Sequence, residues 1–524
     1  MPQNFIESRA EQGFLLPPDV RDWVPPDHLA WFVIDAVNEM ALGAFYGAYR
    51  ADGHGRAAYD PSMMVRVILY GFATGVQSSR AIERHCREHV AYRVLTGNLD
   101  PDHVTISRFI CRHGQALAAL FSQVLGLCAQ AGLVDSGVVS VDGTRIAANA
   151  SRERNQEFAQ IAIEIVEQVK ATDEAEDQVL GEARGDELPE ELRTPEGRRE
   201  FFRRARQKLK GDAGSQEPGK EDEPQPEPER EREREREYEF DAERIVARVQ
   251  GRAGWRRDAH RQLERQRWED PDPIPSSHEE RLLLAAERLE DDLGAERAGN
   301  EAYEAWRRTG VAADGSRRMA AGTTKPYQSP ELPAGKVNIT DPDSKVMPDG
   351  LFFVQGYNAQ AAVNEQQIVV AAEITNSSTD FSQLDPMVTA MLTELETAGV
   401  PQRPEAIVAD AGYWNEQHMD EIVANKHLQV LVAPDKSSRG TPRKTWTGGR
   451  YDWMRAVLGS QEGGERYRKR RQTVEPVFGN TKHNKRVTSF LRRGRVKVRT
   501  EWRLHMMTHN LTKLHNRQIA ALAA

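Results

Sequence analysis

Residues 137–150 read GVVSVDGTRIAANA, and residues 406–415 read AIVADAGYWN. Each is a run of small and β-branched residues that ends on an acid, Asp142 in the first and Asp410 in the second. Such runs predict short buried strands, so both carboxylates are delivered to the end of a strand. A third acid, Glu475, sits in the basic stretch YRKRRQTVEPVFGNTKHNKR (467–486). Carboxylates brought from two strand ends and a helix can hold a pair of Mg²⁺ ions, which cut and join phosphodiester bonds. Without metal, three such groups repel one another and raise each other's pKa.

Downstream, LFFVQGYNAQAAVN (351–364) and QQIVVAAEIT (366–375) predict a hairpin turning at Asn364-Glu365. A helix from Phe381 through Thr397 follows, with Gly399 as its stop. Next come the strand AIVAD, a helix from Asn415 to Asn425, the strand LQVLVAP ending at Pro434, the Glu475 segment and a helical tail from Glu501 to Ala524. With residues 151–339 set aside, the order is β-β-β-α-β-α-β-α, that of a ribonuclease-H-like α/β core with a mixed sheet. Asp142 then falls on the first strand, Asp410 at the end of the fourth, and Glu475 on the last helix.

The segment set aside is rich in Arg, Glu and Ala, with helical runs expected at about 153–180, 238–268 and 278–308. Residues 211–237, including EDEPQPEPERERERERE (221–237), are of low complexity and expected to be disordered at the proline-containing end. Pro271, Pro273 and Pro275 break the helical pattern. This segment reads as a mostly helical insertion; packing is the more common fate of its Trp255, Trp268 and Trp306, with stacking on a DNA base as the alternative.

Before Asp142 the chain reads as helical. Pro61 to Thr74 carries apolar residues at helical spacing with proline in the first turn; further helices open at Ser78 and near Thr105. Two helices around a polar turn resemble a DNA-binding helix-turn-helix, a pattern that helical bundles also show. The expected division is a helical N-terminal domain for DNA binding or dimerisation (1–135), a catalytic core (136–150 with 340–500), the insertion (151–339) and a C-terminal helix (501–524).

A chain of 524 residues implies two to four domains. Its composition, 39% hydrophobic and 29% charged, is that of a soluble protein, and no apolar run reaches the roughly 20 residues of a membrane span. The N-terminus lacks the pattern of a signal peptide, and three cysteines suit a reducing cytosol, so a cytoplasmic location is expected. His85, Cys86 and His89 lack a fourth ligand and zinc-type spacing, and packing accounts for them. The net charge of -9 hides an asymmetry: from Lys436 to Arg517 there are 22 Lys or Arg against 5 Asp or Glu. A basic excess around a candidate catalytic acid points to a polyanion.

Four motifs carry a family resemblance: VVSVDGTRIAANAS (138–151), NITDPDSKVMPDGLFFVQGYNAQAAVN (338–364), IVADAGYWN (407–415) and the 467–486 segment. Together they resemble bacterial insertion-sequence DDE transposases of the eleven-eighty-two type, which have a helical N-terminal domain and a long insertion after the first Asp. The resemblance implies that Asp142, Asp410 and Glu475 form the catalytic, metal-binding triad, with two Mg²⁺ ions and Mn²⁺ as a substitute. It further implies double-stranded DNA as partner, both as terminal inverted repeats and as target, and a homodimer or larger synaptic complex.

In related transposases the Glu helix also carries a Tyr, an Arg before the Glu and a Lys seven positions after it. Arg471 and Lys482 fit the last two places, and Tyr467 precedes Arg471 by four, one more than the broader spacing, which Arg470 would restore. Pro476 belongs in a helix's first turn, which predicts that Arg471 lies just before regular helix. Lys485 and Arg486 are further candidates for DNA contact. His505, His509 and His515 read as helix surface or DNA backbone contacts and not as ligands, and Tyr413 and Trp414 as packing beneath the site or shaping the pocket. Rival readings are a ribonuclease-H-like nuclease without strand transfer and a catalytically inactive DNA-binding descendant.

Overall fold

The computed structural model describes residues 19, 22–49, 57–135, 137–180, 251–269, 271, 273–310, 326–438, 441–443 and 447–523. The low-complexity stretch 211–237, and the part of the 238–268 run before residue 251, lie outside the described residues. The chain divides into two compact units, one of residues 1–149 and 345–524 and the other of residues 150–344.

The larger unit is built on a mixed sheet of six strands: β1 (Val138–Ala147), β2 (Lys345–Asp349), β3 (Phe352–Asn364), β4 (Val369–Thr375), β5 (Ala406–Ala409) and β6 (Gln429–Val432). Their order is β2-β3-β1-β5-β6, with β4 also on β3. The long β3 takes β2 along Phe352–Gly356 and β4 along Asn358–Val363, both antiparallel. β1 runs antiparallel to β3 and parallel to β5, which is in turn parallel to β6. The expected hairpin is present, because Asn364 Oδ1 accepts from the backbone of Gln366 and Ile368 and closes the turn. β5 is buried at every residue, as its unbroken apolar run requires of a central parallel strand.

Local chemistry places the helices close to their expected bounds. Pro61–Thr74 starts on Asp60, whose side chain caps Ser62 and Met63, and stops at Gly75, where φ is +82°. His103–Arg112 is capped by Asp102. The C-terminal helix is longer than the expected tail, Arg495–Ala523, and it is core: Trp502, Leu504, Met506, Met507 and Leu511 are fully buried. It packs on Pro61–Thr74, Gly114–Gln130 and β4. Asn510 pairs with β4 through its side-chain amide, its Oδ1 accepting from Val369 N and its Nδ2 donating to Val369 O, each at 2.8 Å. This covers an edge that would otherwise leave unpaired backbone groups.

The helix that carries Glu475 spans Gln461–Gly479 and runs through Pro476. Arg471 therefore lies well inside regular helix, contrary to the expectation drawn from the proline. Proline at 476 leaves the carbonyl of Gln472 without its helical donor, and Gln367 Nε2 donates to that carbonyl at 2.9 Å. A donor from another element replaces the lost bond, so the helix continues, and a single π-helical turn, Asn480–Asn484, follows it.

The smaller unit contains the helices Phe158–Leu180, Arg252–Glu269 and His278–Thr309, and a two-stranded ladder pairing Asn155–Gln156 with Val337–Asn338. Phe158, Ile161, Ile165, Leu282, Leu289 and Ile339 form its main cluster. Trp255 is buried with Tyr303 and Trp306 packed against it, which fits the packing role expected of the insertion tryptophans.

Candidate functional site

The parallel register of β1 and β5 ends at Val141 opposite Ala409, so Asp142 and Asp410 are the next residues on two adjacent strands. Neighbouring strands lie about 4.8 Å apart, and the two carboxylates leave the sheet side by side. Each is oriented locally by a glycine. Asp142 Oδ1 accepts from the Gly143 backbone at 2.8 Å, and Asp410 Oδ1 accepts from Gly412 N at 2.8 Å as the chain enters a 3₁₀ turn, Ala411–Tyr413.

The Glu475 helix packs against β1, where Thr473 donates its hydroxyl to Ser140 Oγ at 2.6 Å. One turn earlier, Arg470 Nη1 donates to Asp142 Oδ2 at 2.8 Å. Burial works against the Arg470 charge, but Asp142 above all, then Tyr467, Asp410 and Glu475, outweigh it and raise its pKa. Burial likewise pushes Asp142 up to about 6; Arg470 and the Gly143 N–H pull it down, while Asp410 and Asp380 add to the rise. Tyr467 bonds to Arg470, and its pKa is raised chiefly by burial. The arginine that faces the acids is thus Arg470, at the three-residue spacing from Tyr467, and Arg471 is exposed.

Among the described residues, no three His, Cys, Asp or Glu side chains are gathered closely enough to hold one ion between them. Glu475 is exposed and does not close on the two aspartates. The pair by itself fits a hard divalent cation: Mg²⁺ takes oxygen ligands, needs only one or two carboxylates and keeps several waters. The raised pKa of Asp142 comes first from burial, to which the neighbouring Asp410 and Asp380 charges add against the pull of Arg470.

The basic candidates separate. Lys482 is half-buried in the π-helical turn, with its pKa lowered by burial, against which Asp349 acts while Arg145 adds to it. Arg486 is exposed and has a φ of +54°. Lys485 is buried, its ammonium donating to Thr508 Oγ1 at 3.2 Å, and burial lowers its pKa to about 7. Expected from the sequence as a DNA contact, it is turned into the fold and not toward solvent. His505 and His509, read from the sequence as helix surface, are also buried, because the C-terminal helix is core on that side. His515 bonds to the Asp27 carbonyl at 2.9 Å. Tyr413 is buried, with its hydroxyl donating to Gln360 Oε1, and Trp414 stacks on Tyr451 at 4.6 Å. Cys86 of the His85-Cys86-His89 group is buried, and the two histidines pack on Tyr92.

Sequence reading missed Asp380, between β4 and the helix Leu384–Thr397. The available signal was the alternation Tyr357-Asn358-Ala359-Gln360: amides at every second position of a buried strand need polar partners. Asp380 is that partner, accepting from Asn358 Nδ2 at 2.7 Å and Gln360 Nε2 at 2.9 Å.

Residues 18–112 match the family model described as Transposase domain (DUF772). Residues 436–515 match the Transposase DDE domain, a span that takes in Arg470, Glu475 and Lys482 while Asp142 and Asp410 lie outside it. No curated protein and no solved structure gives a significant match. No helix among the described residues is long and apolar enough to cross a membrane. Transposase-family models thus match both the N-terminal and the C-terminal regions of the chain, and these two matches support an insertion-sequence DDE transposase.

Proposed function

We propose that this chain binds the terminal inverted repeats of its element, cleaves a strand at each end and transfers the freed 3′-hydroxyl into target DNA. Asp142, Asp410 and Glu475 are the acids assigned to this chemistry. The observation that carries the reading is the emergence of Asp142 and Asp410 from adjacent parallel strands, with the Glu475 helix fastened to the same β1 strand. The sheet order supports it: a meander of β1, β3 and β4 beside the parallel β5 and β6 is the arrangement of a ribonuclease-H-like core.

Two Mg²⁺ ions, when bound, would acidify the attacking water or hydroxyl and stabilise the leaving oxygen. Asp142 and Asp410 would hold them, with Glu475 as the third acid on the helix packed against β1. Arg470, released from Asp142, and Lys482 would hold phosphate oxygens beside the scissile bond. Two DNA ends must be held together for transfer, which calls for a dimer or larger synapse.

The test is Mg²⁺-dependent cleavage of DNA carrying the element's end. Asp142→Ala, Asp410→Ala and Glu475→Ala should each reduce cleavage to background while DNA binding persists. Near-normal cleavage by any one of them removes that residue from the site. Cleavage without joined products would make the protein a nuclease.

A further inference from the structure

Asp380 is tied directly to two of the strands around the acid edge, β3 and β1. From β3 come Asn358 and Gln360, which are 0% and 1% exposed and both donate to Asp380 Oδ1. Gln360 is itself held on two sides: its Oε1 accepts from Tyr413, in the turn that follows Asp410, and its backbone carbonyl accepts from Trp502 Nε1 at 2.9 Å. From β1, Arg145 Nη2 lies 3.6 Å from Asp380 Oδ2 and also donates to the Ser378 carbonyl at 2.9 Å. Two neutral amides therefore satisfy one carboxylate oxygen, and the Arg145 guanidinium pairs with the other.

The other contacts of Asp380 are with the glycines that orient the two site aspartates. A Cβ on Gly143 would lie 2.9 Å from Asp380 Oδ1 and 2.6 Å from Asn358 Oδ1. A Cβ on Gly412 would lie 2.9 Å from Asp410 Oδ1 and 3.4 Å from Asp380 Oδ2. Neither glycine has a positive φ, so what both provide is room: Gly143 for the Gln360 and Asn358 amides and the Asp380 carboxylate, and Gly412 for the Asp410 carboxylate, with Asp380 in ordinary contact beyond it. We infer that Asp380 is a positioning residue of the proposed cleavage site: it packs beside the Gly143 and Gly412 backbones that aim Asp142 and Asp410, and it brings a third carboxylate, paired with Arg145, to the ion-binding edge. The inference rests on the acid-edge reading given under Proposed function.

The experiment is calorimetric titration of the full-length protein with Mn²⁺, alongside thermal unfolding without metal, for wild type, Asp380→Asn, Asp380→Glu and Asp142→Asn. Asp380→Asn keeps the shape of the side chain and removes its charge. It should weaken Mn²⁺ binding about tenfold or more, the usual size of an outer-shell effect, while unfolding near the wild-type temperature. Asp380→Glu should recover part of the affinity. Wild-type affinity in Asp380→Asn, with binding lost in Asp142→Asn, overturns the inference and leaves the cleavage site standing. Unchanged binding in both variants overturns the acid-edge reading as well. Should Asp380→Asn prove unstable, the comparison moves to equal folded fractions, and equal affinity of the Asn and Glu variants overturns the role of the charge.

Discussion

The acid edge and the Lys485 junction lie in the same unit and both withdraw charge from water, with opposite outcomes. At the acid edge Asp142 keeps a charged partner, Arg470, and a backbone donor for its other oxygen. At the junction, Lys485 has Thr508 as its side-chain partner, and both ring nitrogens of His505 are buried with no hydrogen-bond partner. Burial first, then the charges of Lys485 and Arg492, lower His505 to about 3. His509 falls to about 4, by burial and then Lys485, although the Gln367 carbonyl opposes the shift. The edge thus keeps its charge poised for a ligand, whereas the junction favours neutral forms and serves packing. A basic residue in a basic motif is a phosphate contact only where the fold leaves its charge in water.

The comparison breaks most visibly at the edge. Arg470→Gln should lower cleavage of end-containing DNA roughly a hundredfold, the scale of losing one donor at a reacting group, while Arg471→Gln stays close to wild type. Equal losses in the two variants would mean that the helix turns its other face to the DNA. Cleavage rates under single-turnover conditions decide it.

The junction should govern acid stability. His505 has a folded pKa of about 3, against an ordinary 6.5, so the unfolded chain takes up a proton that the folded one refuses. The stability this represents is complete above pH 6.5 and is lost as pH falls toward 3, amounting to about 2 kcal/mol at pH 5. His505→Leu should therefore narrow the gap between unfolding temperatures at pH 7 and pH 5. An unchanged gap would show that His505 is not buried as a neutral ring. The Asp142 carboxyl acts in the reverse sense, since its raised pKa means stability is lost as pH rises from about 3.8 to about 6.

Smaller effects separate the two lysines of one motif. Lys485 has a folded pKa of about 7 against an ordinary 10.5, so its burial penalty is largest at and below pH 7 and fades as pH rises toward 10.5. Lys485→Met should raise the unfolding temperature at pH 7 and leave DNA affinity unchanged, whereas Lys482→Ala should weaken DNA binding and flatten its salt dependence. A loss of affinity in Lys485→Met would return that residue to the DNA surface.

Much of the sheet was legible before folding. Period-two and unbroken apolar runs mark β1 and β3 to β6 because strand burial is written locally, residue by residue. The helix caps at Asp60 and Asp102 are local for the same reason. What was illegible depended on distant partners. The helix survives Pro476 because Gln367, 105 residues earlier than the carbonyl it serves, supplies the missing donor. The C-terminal helix is core because β4 and the N-terminal helices enclose it.

By itself the sequence determined that Asp142 and Asp410 follow apolar strand segments and that Glu475 lies in a basic helical segment, since composition and periodicity act within a few residues; β1 itself continues past Asp142 to Ala147 because β3 pairs with it there. Tertiary structure alone decided that Arg470 and not Arg471 meets Asp142, that Lys485 is buried, and that Asp380 sits beside the glycines of the acid edge. Each of these depends on which faces of separate elements meet, and burial there settles the charge and the direction of the side chain.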